Sequence, residues 1–275
     1  MSNNQRSAFF VSDRTGITAE MLGHSLLTQF DDLMLKETTL PFIDSLEKAQ
    51  EAVQRINQAA RADGVRPIII STLANTEIAA AVGKANALFL ECFQIFISPL
   101  ENELGKRASH EIGRTHNVND IVNYYRRIES VNYTLSHDDG ATTRDLSEAD
   151  VILVGVSRCG KTPTCLYLSM QFGIRAANYP LIPEDFEDRQ LPKTLRPLHD
   201  KLYGLTIAPM RLQSIRNERR PNSSYSQLDN CEREVREAEA LMKRENIPFL
   251  DATRKSVEEL ATTIMQQAKL ERRIY

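Results

Sequence analysis

The chain has no tryptophan and only four cysteines in 275 residues. Cys92, Cys159, Cys165 and Cys231 form no C-x-x-C pair, and none stands at zinc-site spacing from a histidine. That excludes a zinc finger or ribbon and a dithiol redox motif. Free thiols of this kind fit a reducing compartment, so a cytoplasmic location is expected. Charge of one sign is also missing. Lys+Arg total 34 against Asp+Glu 37, a net charge of −3, and neither nucleic acid nor an anionic membrane is expected as a partner. Long apolar runs are absent as well. The longest, Ala87–Ile97, is interrupted by Glu91 and Gln94 and is too short to span a bilayer. Met1–Arg6 lacks the apolar core of a signal segment. No internal repeat or low-complexity tract is visible.

What remains is ordinary globular material, 41% hydrophobic and 26% charged, long enough for one large or two ordinary domains. One stretch organises it. Ala149–Val154 reads as a buried parallel strand. Gly155, Gly160, Lys161 and Thr162 then satisfy G-x-x-x-x-G-K-[ST] without mismatch. Pro163 suits a first helical turn, and helix-compatible residues run to a stop at Gly173. Glycines at those places let backbone N–H groups turn inward around phosphate oxygens, and the helix start adds partial positive charge. Lys161 offers a full charge to the terminal phosphates, and Thr162 an oxygen for a magnesium ion. The nucleotide-binding candidates are therefore Gly155, Val156, Ser157, Arg158, Cys159, Gly160, Lys161 and Thr162, with Thr162 the metal candidate.

Strand and helix patterns alternate through the first hundred residues. Strands are expected at Ala8–Val11, Leu35–Ile43, Pro67–Ser71 and Phe93–Ile97, and helices after Thr18 and Ser45 and over 75–87, with Ser98–Pro99 opening another. This pattern predicts an α/β fold with an amino-terminal doubly wound parallel sheet over residues 1–110. Residues 101–120 are polar and aperiodic and read as a linker. Residues 111–275 form the expected carboxy-terminal phosphate-loop, kinase-like α/β domain. Its predicted elements are a helix near Asn119–Glu129, strands near Val131–Leu135, Arg175–Tyr179, Gly204–Ile207 and Ile247–Leu250, and a proline-spaced, mostly irregular Pro180–Pro197. Helices follow from Pro209 and over Leu228–Glu245, and Ser256 with Glu259 makes a capping box for the last one.

No N-K-x-D for guanine is present, and no long apolar strand ends in Asp-Glu, which leaves kinase-like phosphoryl transfer. Its carboxylate could be Asp138 or Asp139, before Gly140; the pair could hold magnesium, accept a hydroxyl proton, or merely form a surface turn. Asp251, at a strand end, reads as a turn residue. Asp13 and Thr15 sit where doubly wound sheets place ligands, although a helix-leading loop is slightly the preferred reading. Arg211, Arg216, Arg219 and Arg220 could clamp phosphate; a solvated helix face is the preferred reading. Arg158 is a catalytic candidate because it lies within the loop itself. Cys159 reads as a small space-filler. His24, His110, His116, His137 and His199 are scattered, and His110 with His116 reads as surface loop, not a metal pair.

Five separate stretches carry a family likeness: Val11–Glu20, Tyr133–Gly140, Gly155–Pro163, Ala177–Pro183 and Gly204–Ile207. Together they resemble the pyruvate, phosphate dikinase regulatory family, over nearly the whole chain, and its bacterial branch in particular. The resemblance implies a bifunctional enzyme. It would phosphorylate a threonine of phosphoenolpyruvate synthase with ADP as donor, and remove that phosphate with inorganic phosphate, forming pyrophosphate. It also implies a homodimer and an ADP site at Gly155–Thr162. The residues' own chemistry makes Lys161, Arg158 and Asp138 or Asp139 the candidates to carry the transfer. Two other readings stay open: an ATP-dependent small-molecule kinase, and a nucleotide-sensing protein without transfer chemistry.

Overall fold

Ala8, Phe9, Phe10 and Val11 alternate between two apolar surfaces, and that alternation builds the amino-terminal sheet. Phe9 and Val11 pack with Ile69 on one face, and Ala8 and Phe10 with Ile68 and Ile70 on the other. A strand buried on both faces must be covered on both by helices. The computed structural model describes residues 5–31, 34–109, 121–140, 142, 144–187, 190–221 and 223–274. The chain divides into two compact units, Met1–Asn117 and Val118–Tyr275.

In the first unit β1 (Gln5–Val11), β2 (Met34–Leu40), β3 (Ile68–Ser71) and β4 (Leu88–Glu91) form one sheet of order β2-β1-β3-β4. All its pairings are parallel. Helices α2 (Leu46–Asp63) and α3 (Thr76–Val82) cover the Phe9 face, through Ala49, Ile56, Ile78 and Val82. Helix α1 (Ile17–Leu27) and the start of α4 (Cys92–Leu104) cover the Phe10 face, through Ala19, Leu27 and Cys92.

In the second unit β5 (Val151–Gly155), β6 (Ala176–Pro180), β7 (Leu202–Thr206) and β8 (Phe249–Asp251) repeat that topology in the order β6-β5-β7-β8, again all parallel. Every residue of β5 and β7 is buried. Around them lie α5 (Ile121–Ser136), α6 (Lys161–Phe172), α7 (Pro183–Glu187), α8 (Pro209–Arg219), α9 (Leu228–Arg244) and α10 (Val257–Gln267). Both central strands, β1 and β5, have neighbours that lead away in opposite directions. Their carboxyl ends are switch points, where open α/β sheets leave a crevice.

Four expectations are corrected. Phe93–Ile97 is helix, not strand: β4 takes only Leu88–Glu91 of the apolar run, in register with Ile68–Ser71. The rest winds into α4, and Pro99 lies inside that helix instead of opening one. Val131–Leu135 is also helix, because α5 runs unbroken to Ser136 and packs on α6. Packing overrides the local β preference of Val131, Tyr133 and Thr134. Thr18 is not a cap: α1 starts from Gly16, in the left-handed region at φ 82°, with no side-chain cap. The Pro180–Pro197 segment is mostly irregular, as expected, with one short helix, α7, within it. Ser45 caps α2 by accepting from the Lys48 amide, and the Ser256–Glu259 box is present at both bonds. Residues 110–120, with His110 and His116, lie outside the described residues. No helix among the described residues is long and apolar enough to cross a membrane.

Candidate active site

The loop after β5 is set by two glycines with different constraints. Gly155 has φ 147°, and a Cβ there would lie 2.2 Å from the Leu205 carbonyl oxygen of β7. Gly160 has φ 97° with open space where a Cβ would go. The first is demanded by both packing and backbone, the second by backbone alone. Gly155→Ala should therefore cost about 3–5 kcal/mol, combining overpacking with left-handed strain. Thermal melting of the variant should drop by roughly 10 °C. Gly160→Ala should cost only about 1–2 kcal/mol; equal losses at both positions would refute this assignment.

Between them Arg158 is also left-handed, at φ 76°. An arginine there carries strain of roughly 1–2 kcal/mol. Among the described residues, no protein acceptor is found for the backbone amides of Ser157, Arg158 and Gly160; only the Cys159 amide makes a long contact, 3.4 Å to the Val156 oxygen. Helix α6 begins at Lys161 with no side-chain cap, so its first amides add to this set. Lys161 is buried, with 3% of its surface exposed. Its Nζ donates to the Val156 oxygen at 2.9 Å and lies 3.9 Å from Cys159 Sγ. Burial holds the Cys159 thiol above its usual range, with Lys161 opposing. The thiol is a packed neutral group, as a space-filler should be.

Facing the loop is the Asp138–Gly140 turn. Thr162 Oγ1 donates to Asp138 Oδ1 at 2.8 Å. Asn178, from β6, directs its amide nitrogen at Asp138 Oδ1 (2.6 Å), Thr162 Oγ1 (2.9 Å) and Asp139 Oδ1 (3.3 Å). Carboxylates only accept, so the amide must present its NH2 to them. Its own Oδ1 is buried without a partner among the described residues. Asp139 is left-handed, at φ 49° and ψ 31°. The turn is anchored by buried His137, which stacks on Tyr133 and places its ring nitrogens 2.8 Å from the Tyr133 oxygen and 2.7 Å from the Arg144 oxygen.

These groups enclose a cavity of about 210 Å³ lined by Asp139, Ser157, Arg158, Gly160, Lys161, Thr162, Pro163 and Ile215. The Arg158 Nε is buried without a partner among the described residues. Two cationic side chains, a helix start and free amides thus meet an acidic turn in one recess. The arrangement suits anionic phosphate oxygens on one side and a proton acceptor on the other.

Sequence reasoning missed Asn178, although an asparagine inside an otherwise apolar strand is itself a signal. It also misread Arg216. That side chain is fully buried and paired with Glu234 at 2.7 Å, not solvated. Arg211, Arg219 and Arg220 are exposed. Asp251 closes a turn by accepting from the Thr253 amide at 2.8 Å. In the first unit Asp13 is buried and accepts from the Ala74 amide at 2.9 Å, while Thr15 is exposed. No cluster of three acidic, histidine or cysteine side chains able to hold a metal occurs among the described residues.

Residues 8–265 match the family described as Kinase/pyrophosphorylase. The chain belongs to that family. A protein of Azoarcus sp. (strain BH72) is 57% identical over 268 residues, covering 97% of each chain. Proteins of Burkholderia mallei (strain SAVP1) and Burkholderia pseudomallei (strain 668) are 55% identical over 269 residues, covering 98% of this chain and 99% of theirs. All three bear the name "Putative phosphoenolpyruvate synthase regulatory protein".

Proposed function

We propose that this cavity carries out two opposed reactions on one threonine of phosphoenolpyruvate synthase. In the first, the threonine hydroxyl attacks the β-phosphorus of ADP. The bond from that phosphorus to the bridging oxygen breaks, AMP leaves with the electron pair, and the hydroxyl proton passes to a carboxylate. In the second, an oxygen of inorganic phosphate attacks the phosphothreonine phosphorus. The threonine oxygen leaves, takes back a proton, and pyrophosphate forms. The observation that carries this reading is the single recess in which the loop's amides, Lys161 and Arg158 face the Asp138–Asp139 turn.

The two aspartates divide the work. Asp138 is engaged by Thr162 and Asn178, so it is the fixed member. Asp139 lines the cavity and, among the described residues, makes only the longer Asn178 contact, so it is the freer proton acceptor. Thr162 Oγ1 and Asp138 Oδ1 make a hard-oxygen pair that fits magnesium, which takes one or two protein oxygens and fills its shell with phosphate oxygens and water. When bound, the ion would neutralise charge on the phosphate oxygens. The recess is smaller than the roughly 300–1,000 Å³ of a pocket enclosing a whole drug-sized ligand. It suits the diphosphate tail, with the nucleoside end outside.

The test is ADP labelled at the β-phosphorus, incubated with the synthase. Label on a synthase threonine with release of AMP is expected, followed by labelled pyrophosphate when phosphate is added. Transfer from the γ-position of ATP alone would favour the small-molecule-kinase type of chemistry. ADP binding with no labelled protein would leave only a nucleotide sensor.

A further inference from the structure

Arg216 lies outside the cavity, yet it reaches the loop that lines it. The guanidinium is fully buried. One terminal nitrogen donates to the Ser157 backbone oxygen at 3.2 Å and to Glu234 Oε2 at 2.7 Å. The other donates to the Tyr225 oxygen at 3.2 Å, and the guanidinium carbon stands 4.2 Å from the Tyr225 ring centroid. Glu234 is in turn held by Asn230 Nδ2 at 2.8 Å. The Tyr225 hydroxyl completes the circuit, 3.1 Å from Ser157 Oγ. Ser157 is therefore gripped at its carbonyl by Arg216 of α8 and at its hydroxyl by Tyr225 of the turn before α9, while Glu234 of α9 holds Arg216.

We infer that Arg216, locked by Glu234 and Tyr225, is a positioning residue that turns the Ser157–Arg158 peptide so that its N–H faces the bound phosphates. The inference rests on the function proposed above. The reason is the geometry of a trans peptide, in which the C=O and the following N–H point in opposite directions. No cis peptide bond occurs among the described residues. A carbonyl anchored to Arg216, behind the loop, sends the Arg158 amide the other way, toward the cavity that Ser157 and Arg158 line. The same anchor holds Arg158 in its left-handed conformation, which an arginine in an untethered loop would leave. A planar fork is required, because one group must bond a backbone oxygen, a carboxylate and a second carbonyl at fixed angles. Lysine could keep the ion pair with Glu234 but not the fork.

The test uses the full-length protein and two probes, ADP and inorganic pyrophosphate, with binding followed by calorimetry and turnover by label transfer. The main variant is the double exchange Arg216→Met with Glu234→Leu, which leaves no buried charge alone. Its melting temperature should stay near wild type. Its affinity for both probes should fall about tenfold or more, with the loss of kcat/KM carried by KM. A folded double variant that binds both probes like wild type overturns the inference. Should the double variant not fold, Arg216→Lys, which keeps the charge pair, decides instead. It should melt near wild type and still bind both probes several-fold more weakly, and wild-type affinity would overturn the inference. Wild-type protein that binds neither probe removes the functional reading and this inference with it. Wild-type binding that the variants leave unchanged removes the inference alone.

Discussion

Exchange of Lys161 for alanine should abolish transfer from ADP and phosphorolysis together, each by at least about a hundred- to a thousandfold. The expected effect is electrostatic. Lys161 is almost wholly buried, and its ammonium rests on a neutral backbone oxygen 2.9 Å away. A buried cation held only by a neutral oxygen is costly unless an anion arrives, so the site is poised for one. In the proposed chemistry both directions bring phosphate oxygens to the same place, and both place charge there as the bond breaks. The fold should survive. The lost hydrogen bond is worth about 1–3 kcal/mol and is partly offset by removing the cost of burying the charge. Turnover in each direction and a thermal melt check this. Near wild-type activity in either direction would mean that the two reactions use separate sites.

Asp139→Asn should lower kcat by about 10²–10⁴ and leave the KM for ADP within a few-fold. Asparagine tolerates the left-handed backbone that Asp139 adopts at φ 49°, so the turn should keep its shape while losing its proton acceptor. Asp138→Asn should behave differently. Asp138 accepts from both Thr162 and Asn178, and an amide there would turn a donor toward one of them. That exchange should weaken nucleotide binding and lower the melting temperature as well as slow turnover. Steady-state kinetics of the two variants side by side decide the matter. A turnover in Asp139→Asn equal to wild type would remove Asp139 from the mechanism.

The glycine loop was legible because its chemistry is local. Gly155, Gly160, Lys161 and Thr162 stand within eight consecutive residues, and the strand before them is an apolar run with no competing pattern. β1 and β3 were legible for the same reason, as short runs buried on both faces and bounded by turns. The misreadings lie where one stretch had to serve two elements. The run from Ala87 to Ile97 supplies both β4 and the first turns of α4, and composition alone does not mark where it bends. Val131–Leu135 carries strand-favouring residues whose helical state comes from packing of α5 on α6. In the site, Asp138 and Asp139 were visible as a pair but not as neighbours of Thr162, since that contact spans 24 residues and depends on sheet topology. Asn178 and Arg216 went unrecognised because a polar residue on a buried surface shows its meaning only through its partners, 40 residues away for Asn178–Asp138 and 59 for Arg216–Ser157.

On the proposed chemistry, one set of loop amides and cations receives the diphosphate of ADP in one direction and the forming pyrophosphate in the other. The most direct measurement is a calorimetric titration of ADP into the protein at a series of inorganic pyrophosphate concentrations. Strict competition is predicted, with the apparent Kd for ADP rising in proportion to pyrophosphate and no complex holding both ligands. An ADP affinity that stays constant while pyrophosphate saturates the protein would contradict the claim.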